Sequence, residues 1–284
     1  MEEKNDPVAA RPLYEALLDH EGPNAFGAVV EPWLARAVGD YRDYLTTAAE
    51  SLPRPPSGPG ERRVYLLWEL YALSRVSDLL LLPFQPAGDD DGWGGPDVTV
   101  DQYVALFTRL GMTPFEETSC FDPFLHEIVE VEQASDPDEP VRITEVLWPG
   151  LWLGSVLFGR AGVRVRAGAR HAERGVADRS PLYWTFRRRY RRTVDLSHGW
   201  GHNSQWRTAF RLDVRTAAGD RLNIDGDEHV DAVSDDSYAA LLTPAERRAL
   251  LRHRCLVREP VHAGRGSQPG WEEDLFPFEW HLEG

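Results

Sequence analysis

Hydrophobic spacing changes period once along this chain of 284 residues, and that single change limits the folds open to it. Up to about residue 110 the apolar residues recur at helical spacing, whereas from about residue 127 they alternate. Leu13, Leu17 and Leu18 begin an apolar stripe, which Trp33, Leu34, Ala37, Val38, Tyr41 and Tyr44 continue through residues 29–49. The stretch SLPRPPSGPG at 51–60 is too rich in Pro and Gly to be anything but a connection. Residues 62–82 then read as a helix that is apolar nearly all round, carrying Leu66, Leu67, Leu70, Leu73 and Leu80, which places it centrally in a core until Pro83 ends it. Beyond the acidic, Gly-rich loop at 86–97, Thr99 and Gln102 match a capping box. They open a helix with Tyr103, Leu106, Phe107 and Leu110 inward, stopping at Gly111.

In the second part, Val129 and Val131 alternate with Glu130 and Glu132, and 141–148 returns after the turn SDPDEP as a hairpin partner. Residues 151–158 and 163–169, joined by GRAG, make a second hairpin. Ser180 and Pro181 read as the N-cap and first position of a short helix running into arginines. The clearest strand is 205–215. Trp206, Thr208, Phe210, Leu212 and Val214 share one face, while Gln205, Arg207, Ala209, Arg211, Asp213 and Arg215 share the other, which faces solvent or a ligand. The turn AAGD leads to a return strand at 221–225, a third hairpin. Thr243, Pro244 and Glu246 form another capping box on a helix with Leu250 and Leu251. The order of elements predicts an α+β fold: N-terminal helices packed on a hairpin-rich antiparallel sheet, with a covering C-terminal helix. The chain reads as a single compact unit, 1–284, with a division into 1–115 (helical part) and 116–284 (sheet part) as the alternative.

A composition of 42% hydrophobic and 27% charged residues excludes whole-chain disorder, collagen and coiled coil. No apolar run approaches the ~18 residues of a membrane-spanning helix. The start, MEEKNDPVAARP, lacks the basic and apolar regions of a secretory signal, so a cytoplasmic, soluble protein with no membrane partner is expected. Cys120 and Cys255 lie far apart and read as two free thiols rather than a disulfide framework or a zinc site. Lys4 is the only lysine beside thirty arginines, so arginine is partly a compositional default and its position says more than its identity.

Position is uneven. The formal charge is −15, yet residues 160–215 hold 14 Arg and 4 acidic residues, a net +10 that leaves −25 for the rest. Such a split suits either an anion-binding surface or arginines paired internally with an acidic body. The run FRRRYRR at 186–192 interleaves basic and aromatic residues, as a nucleotide or nucleic-acid surface requires, and an exposed positive patch over 187–192 is expected. Arg187, Arg188 and Tyr190 are its candidate ligand-binding residues. The stretch DLSHGWGHNSQWR at 195–207 adds His198 and His202, suited to general acid or base work, with Trp200, Asn203, Gln205, Arg207 and, further on, Arg211 as ligand contacts. His126 beside Glu130, and Asp225, Asp227, Glu228, His229 and Asp231, bring possible ligands together without a recognised metal spacing, so no metal is expected. Walker A, Rossmann, kinase and nucleophile-elbow patterns are missing, and no cofactor is expected.

Two classes of function follow. One is a protein that binds an anionic ligand, phosphorylated or nucleic-acid-like, at the basic/aromatic segment, with His198 and His202 serving a hydrolase or transferase. The other is a non-catalytic interaction module of the inhibitor or immunity type, whose acidic surface meets a basic protein partner.

Overall fold

The computed structural model describes residues 9–53, 61–86, 93–190, 210–232, 241–259 and 279–283. Helices come first: α1 (Ala10–Asp19), a π-helical turn (Phe26–Val30), α2 (Glu31–Ala37), α3 (Asp40–Ala49), α4 (Glu61–Leu81) and α5 (Val100–Arg109). Strands β1 (Thr113–Phe115), β2 (His126–Gln133), β3 (Arg142–Trp148), β4 (Gly150–Leu153), β5 (Val156–Gly159) and β6 (Ala161–Ala167) follow. Two short helices, α6 (Val176–Arg179) and α7 (Trp184–Tyr190), precede β7 (Val214–Thr216), β8 (Gly219–Leu222), β9 (Glu228–His229), α8 (Pro244–His253) and β10 (Trp280–Glu283). The fold is α+β. No helix among the described residues is long and apolar enough to cross a membrane.

The helices form where their local signals lie. Leu66, Leu70, Leu73, Val76 and Leu80 are all buried along α4, and a 3-10 turn at Leu82–Phe84, built around Pro83, ends it. Both capping boxes close: the Gln102 N–H donates to Thr99 Oγ1 while the Thr99 N–H donates to Gln102 Oε1, and Thr243 and Glu246 repeat the exchange. The largest core joins these helices to the sheets through Val129, Trp148, Leu151, Val156, Phe158 and Val214. A second core lies under α8, around Leu250, Leu251, Trp280 and Leu282.

Strand order differs from the simple run of hairpins. One sheet has seven strands in the order β1-β4-β5-β7-β8-β10-β9, and the other has three, β2-β6-β3. The β7–β8 hairpin forms at the AAGD turn as expected. β2 and β3, however, are not partners: β6 lies between them, parallel to β2 and antiparallel to β3. The outward charges supply a reason. Glu130 and Glu132 on β2 would face Glu145 on β3 if the two strands paired directly, and like charges across a ladder destabilise it. β6 places Arg164 between Glu130 and Glu145, and Arg166 beside Glu132 and Glu139. The 151–158 segment is itself a hairpin, β4–β5, turned at Gly154 with φ 60°, and GRAG is the corner at which the chain changes sheets.

Two further expectations are corrected. Of the strand expected at 205–215, residues 205–209 lie outside the described residues and only Val214–Thr216 pairs regularly. Leu212 and Val214 enter the core as expected, but Asp213 on the opposite side is 2% exposed rather than solvent-facing. Ser180 does not cap a helix: the chain turns at Ser180–Tyr183, where the Tyr183 N–H donates to Ser180 O, and α7 starts at Trp184.

The three-stranded sheet depends on one close approach. The indole of Trp148 lies so near Gly162 that a Cβ there would meet Trp148 Cε2 at 2.2 Å, and Trp148 is 1% exposed with its Nε1–H donating to Arg160 O. A ring so buried, with its Nε1–H bonded and Arg188 over its face, has little room to yield. Gly162→Ala is therefore expected to lower stability by about 1–3 kcal/mol, the range for overpacking a core, in a urea unfolding curve; an unchanged midpoint would mean that the ring moves freely.

Candidate functional site

Six of the candidate residues, His198, Trp200, His202, Asn203, Gln205 and Arg207, lie outside the described residues. Arg187, Arg188, Tyr190 and Arg211 are described, and the structure separates their roles.

Arg188 is not part of an exposed patch. It is buried on α7, where its guanidinium forks onto both Glu127 carboxylate oxygens, with Nη2 to Oε2 at 2.9 Å, and its Nε donates to Asp78 Oδ1 at 3.1 Å. Its Cζ stands 5.2 Å from the Trp148 ring centroid. Burial pushes the Glu127 carboxyl up against the pull of Arg188, while Glu127 and Asp78 overcome the burial of Arg188 and hold it firmly charged. The expected positive patch at 187–192 is corrected at Arg188 on this ground, because a desolvated guanidinium must be paired, while Arg191 and Arg192 lie outside the described residues. Arg189 is likewise engaged, 2.5 Å from Asp178 and 2.8 Å from Pro86 O. Tyr190 packs on Phe186 and lines, with Arg189, a groove of about 870 Å³ that also touches Glu130, Arg164, Arg174 and Asp178.

A second set of arginines is arranged differently. Four chain segments meet here: the corner between β5 and β6 brings Arg160, the approach to β7 brings Arg211 and Asp213, α7 brings Trp184 and Arg187, and the end of α8 brings His253 and Arg254. Arg160 Nη2 lies 2.7 Å from one Asp213 oxygen and Arg211 Nε 3.0 Å from the other, with side chains 8% and 17% exposed. The Asn223 N–H donates to the same carboxylate at 2.8 Å. Arg160 Nε and Arg211 Nη2 donate to Pro123 O and Leu251 O. Arg160 Cζ and Arg254 Cζ stand 4.6 Å and 5.1 Å from the Trp184 ring centroid, both at cation–π distance from one indole.

The electrostatics follow from this crowding. Burial pushes the Asp213 carboxyl up, but Arg211 and Arg160 outweigh it and hold the group below the usual carboxylate range. Arg211 is lowered, chiefly by burial and also by Arg160, although Asp213 opposes the shift. Arg254 is lowered well below the ordinary guanidinium range by burial and by Arg187, Arg211 and Arg160, with Asp213 acting against them. The His253 imidazole, stacked on Phe121, is pushed down to about 3 by burial and then by Arg160 and Arg252, so it is neutral at physiological pH. The arrangement concentrates forked donors around a single shared carboxylate, which suits it to attract an oxyanion.

The remaining candidates are held in local structure. His126 is 1% exposed; its Nε2–H donates to Glu117 O and its Nδ1 accepts from the Asp122 N–H, so it does not sit with Glu130. Asp225 pairs with Arg63 and Asp231 with Arg248. Among the described residues no group of three or more His, Cys, Asp or Glu side chains could hold a metal ion. The sequence reading missed Arg160, Asp213 and Arg254 as partners of Arg187 and Arg211. The one available signal was Asp213 itself, a lone carboxylate flanked by Leu212 and Val214 and two residues from Arg211. Comparison with known proteins finds no matching family model, no similar curated protein and no similar solved structure.

If Arg188 is the charge that makes burial of Glu127 tolerable, Arg188→Met is expected to cost about 3–5 kcal/mol by urea unfolding, since it strands a buried carboxylate. Adding Glu127→Gln to that variant should recover much of the loss. Equal destabilisation in both would instead assign the value of Arg188 to its packing on Trp148.

Proposed function

We propose that this protein binds a small phosphate-type oxyanion at the cluster of Arg160, Arg211 and Arg254. The observation that carries this reading is the sharing of one carboxylate, Asp213, by Arg160 and Arg211 beside an indole approached by two guanidiniums. Elsewhere the arginines of the same region meet carboxylates of their own: Arg164 and Arg166 in the three-stranded sheet, and Arg215 with Asp220 in its hairpin. Like charges gathered in a partly desolvated place favour an anion strongly, because the local dielectric screens them poorly.

A small ligand fits better than a strand of nucleic acid. Trp184 already serves Arg160 and Arg254, and the Tyr183 hydroxyl donates to Ile128 O at 2.6 Å, so these aromatics are occupied by the protein's own groups rather than offered to a base. Arg160 is also too recessed to track a phosphate backbone. Among the described residues His253, the imidazole in the cluster, is neutral, and His198 and His202 remain catalytic proposals outside the described residues.

The test is calorimetric titration of the full chain with inorganic phosphate, sulfate and chloride at matched ionic strength, and with a short single-stranded oligonucleotide. Phosphate and sulfate are expected to bind and to raise the melting temperature beyond the effect of chloride. Arg211→Gln should weaken phosphate by about 1.5–3 kcal/mol, the worth of a charged hydrogen bond, while Arg215→Ala stays near zero. Oxyanions that act no better than chloride, or binding confined to the oligonucleotide, would overturn the proposal.

A further inference from the structure

One imidazole shapes the irregular segment between β1 and β2. Residues 116–120 are exposed and form no helix or strand, whereas His126, the first residue of β2, is 1% exposed. Its Nε2–H donates to Glu117 O at 2.7 Å, and its Nδ1 accepts from the Asp122 N–H at 3.0 Å. A ring that donates to a carbonyl through one nitrogen keeps the other as an acceptor, so one tautomer serves both bonds and closes residues 117–122 at both ends.

The closed segment leads into a tight turn. Asp122 O accepts from the Leu125 and His126 N–H groups and Asp122 Oδ1 from the Phe124 N–H, with Pro123 second in the turn. Pro123 O is left to accept from Arg160 Nε at 3.1 Å. Arg160 is thereby held from three directions: by Pro123 O at Nε, by Asp213 at Nη2, and by the Trp184 ring 4.6 Å from its Cζ. The same segment reaches the cluster a second time. Phe121 lies between two imidazoles, stacked on His126 at 5.8 Å and on His253, at the end of α8, at 5.9 Å.

We propose that His126 is a positioning residue for the oxyanion site, holding residues 117–123 so that Pro123 O fixes the Arg160 guanidinium in the orientation that meets the ligand. This rests on the oxyanion reading above and adds to it a residue that touches no ligand. A carbonyl bonded to Nε stops the guanidinium plane from turning, so the ordering that binding would otherwise require is done in the free protein. The exposed, irregular backbone of 116–120 has little else to hold it, and the order of Pro123 therefore depends on the two bonds of His126.

The experiment is a double-mutant cycle on phosphate affinity in the full chain, measured by calorimetry at a temperature where every variant is folded. His126→Phe keeps a ring against Phe121 and loses both bonds, and phosphate affinity is expected to fall about fivefold. His126→Asn keeps an acceptor for the Asp122 N–H and should stay within about twofold of the wild-type chain, even where the lost ring lowers its melting temperature. Arg160→Lys keeps the charge but has no Nε–H for Pro123 O, so adding His126→Phe to it should cost no further affinity. A merely structural histidine would move the melting temperature in every background and leave the affinity of the folded protein alone. Wild-type affinity in His126→Phe, an equal loss in His126→Asn, or the full fivefold loss in the Arg160→Lys background each overturns the inference while leaving the oxyanion site standing. If His126→Phe does not fold, the wild-type chain supplies the measurement: saturating phosphate should slow amide exchange at Asp122 at least about threefold, and unchanged exchange overturns the inference. A wild-type chain that binds neither phosphate nor sulfate would overturn the site and this inference together.

Discussion

One guanidinium ties together parts of the molecule that share little else. Arg188 projects from α7, forks onto Glu127 of β2 and reaches Asp78 of α4, so the helical half, the three-stranded sheet and the helix between them meet at a single charge. The contact is strong in one direction only. Removing any partner leaves a buried charge without its complement, whereas the intact set contributes little beyond what well-packed apolar residues would. It sets α7 in the register that places Arg188 over Trp148, and Trp148 in turn lies close against Gly162. That register is what delivers Trp184 and Arg187, on the same helix, to the arginine cluster.

Asp213 is the second node, and it works under different terms. Its oxygens accept from Arg160, Arg211 and the Asn223 N–H, and its own backbone oxygen accepts from the Leu157 N–H, so it links β5, β7 and the turn after β8. A carboxylate so supplied stays ionised. Two guanidiniums share it, and the proposed oxyanion would join them there. The cluster is built from segment ends rather than the interiors of elements, which is where binding groups are commonly held by a rigid scaffold.

What the sequence made legible was local. The capping boxes at Thr99 and Thr243, the all-round apolar α4 and the AAGD hairpin each need only a few neighbouring residues to specify them, and each forms. The β2-β6-β3 order was not legible from alternation, since period two states which face a side chain takes and nothing about which strand lies beside it. The information was present in another form, as an acidic outer face on β2, Glu145 on β3 and arginines on the outer face of β6. For the site, the density of arginine was legible but its division was not. Alternation carried through 211–215 put Arg211 and Asp213 on a face open to solvent or a ligand. Regular pairing begins only at Val214, and before it the backbone turns both side chains inward.

A chain with thirty arginines and one lysine could place guanidinium groups almost anywhere, so their number argues nothing. Their pairing does. On the outer face of the three-stranded sheet, Arg164 and Arg166 each stand between two carboxylates, both side chains more than a third exposed, and such screened pairs add little stability and attract no further anion. Around Asp213 the ratio is inverted, with two guanidiniums on one carboxylate and Arg254 close by, in a place where water screens poorly. The same residue type therefore does different things some residues apart: in one place it satisfies an acidic sheet, and in the other two guanidiniums share one carboxylate beside a partly buried indole. The oxyanion proposed as ligand rests on that inversion, and not on the basic run at 186–192.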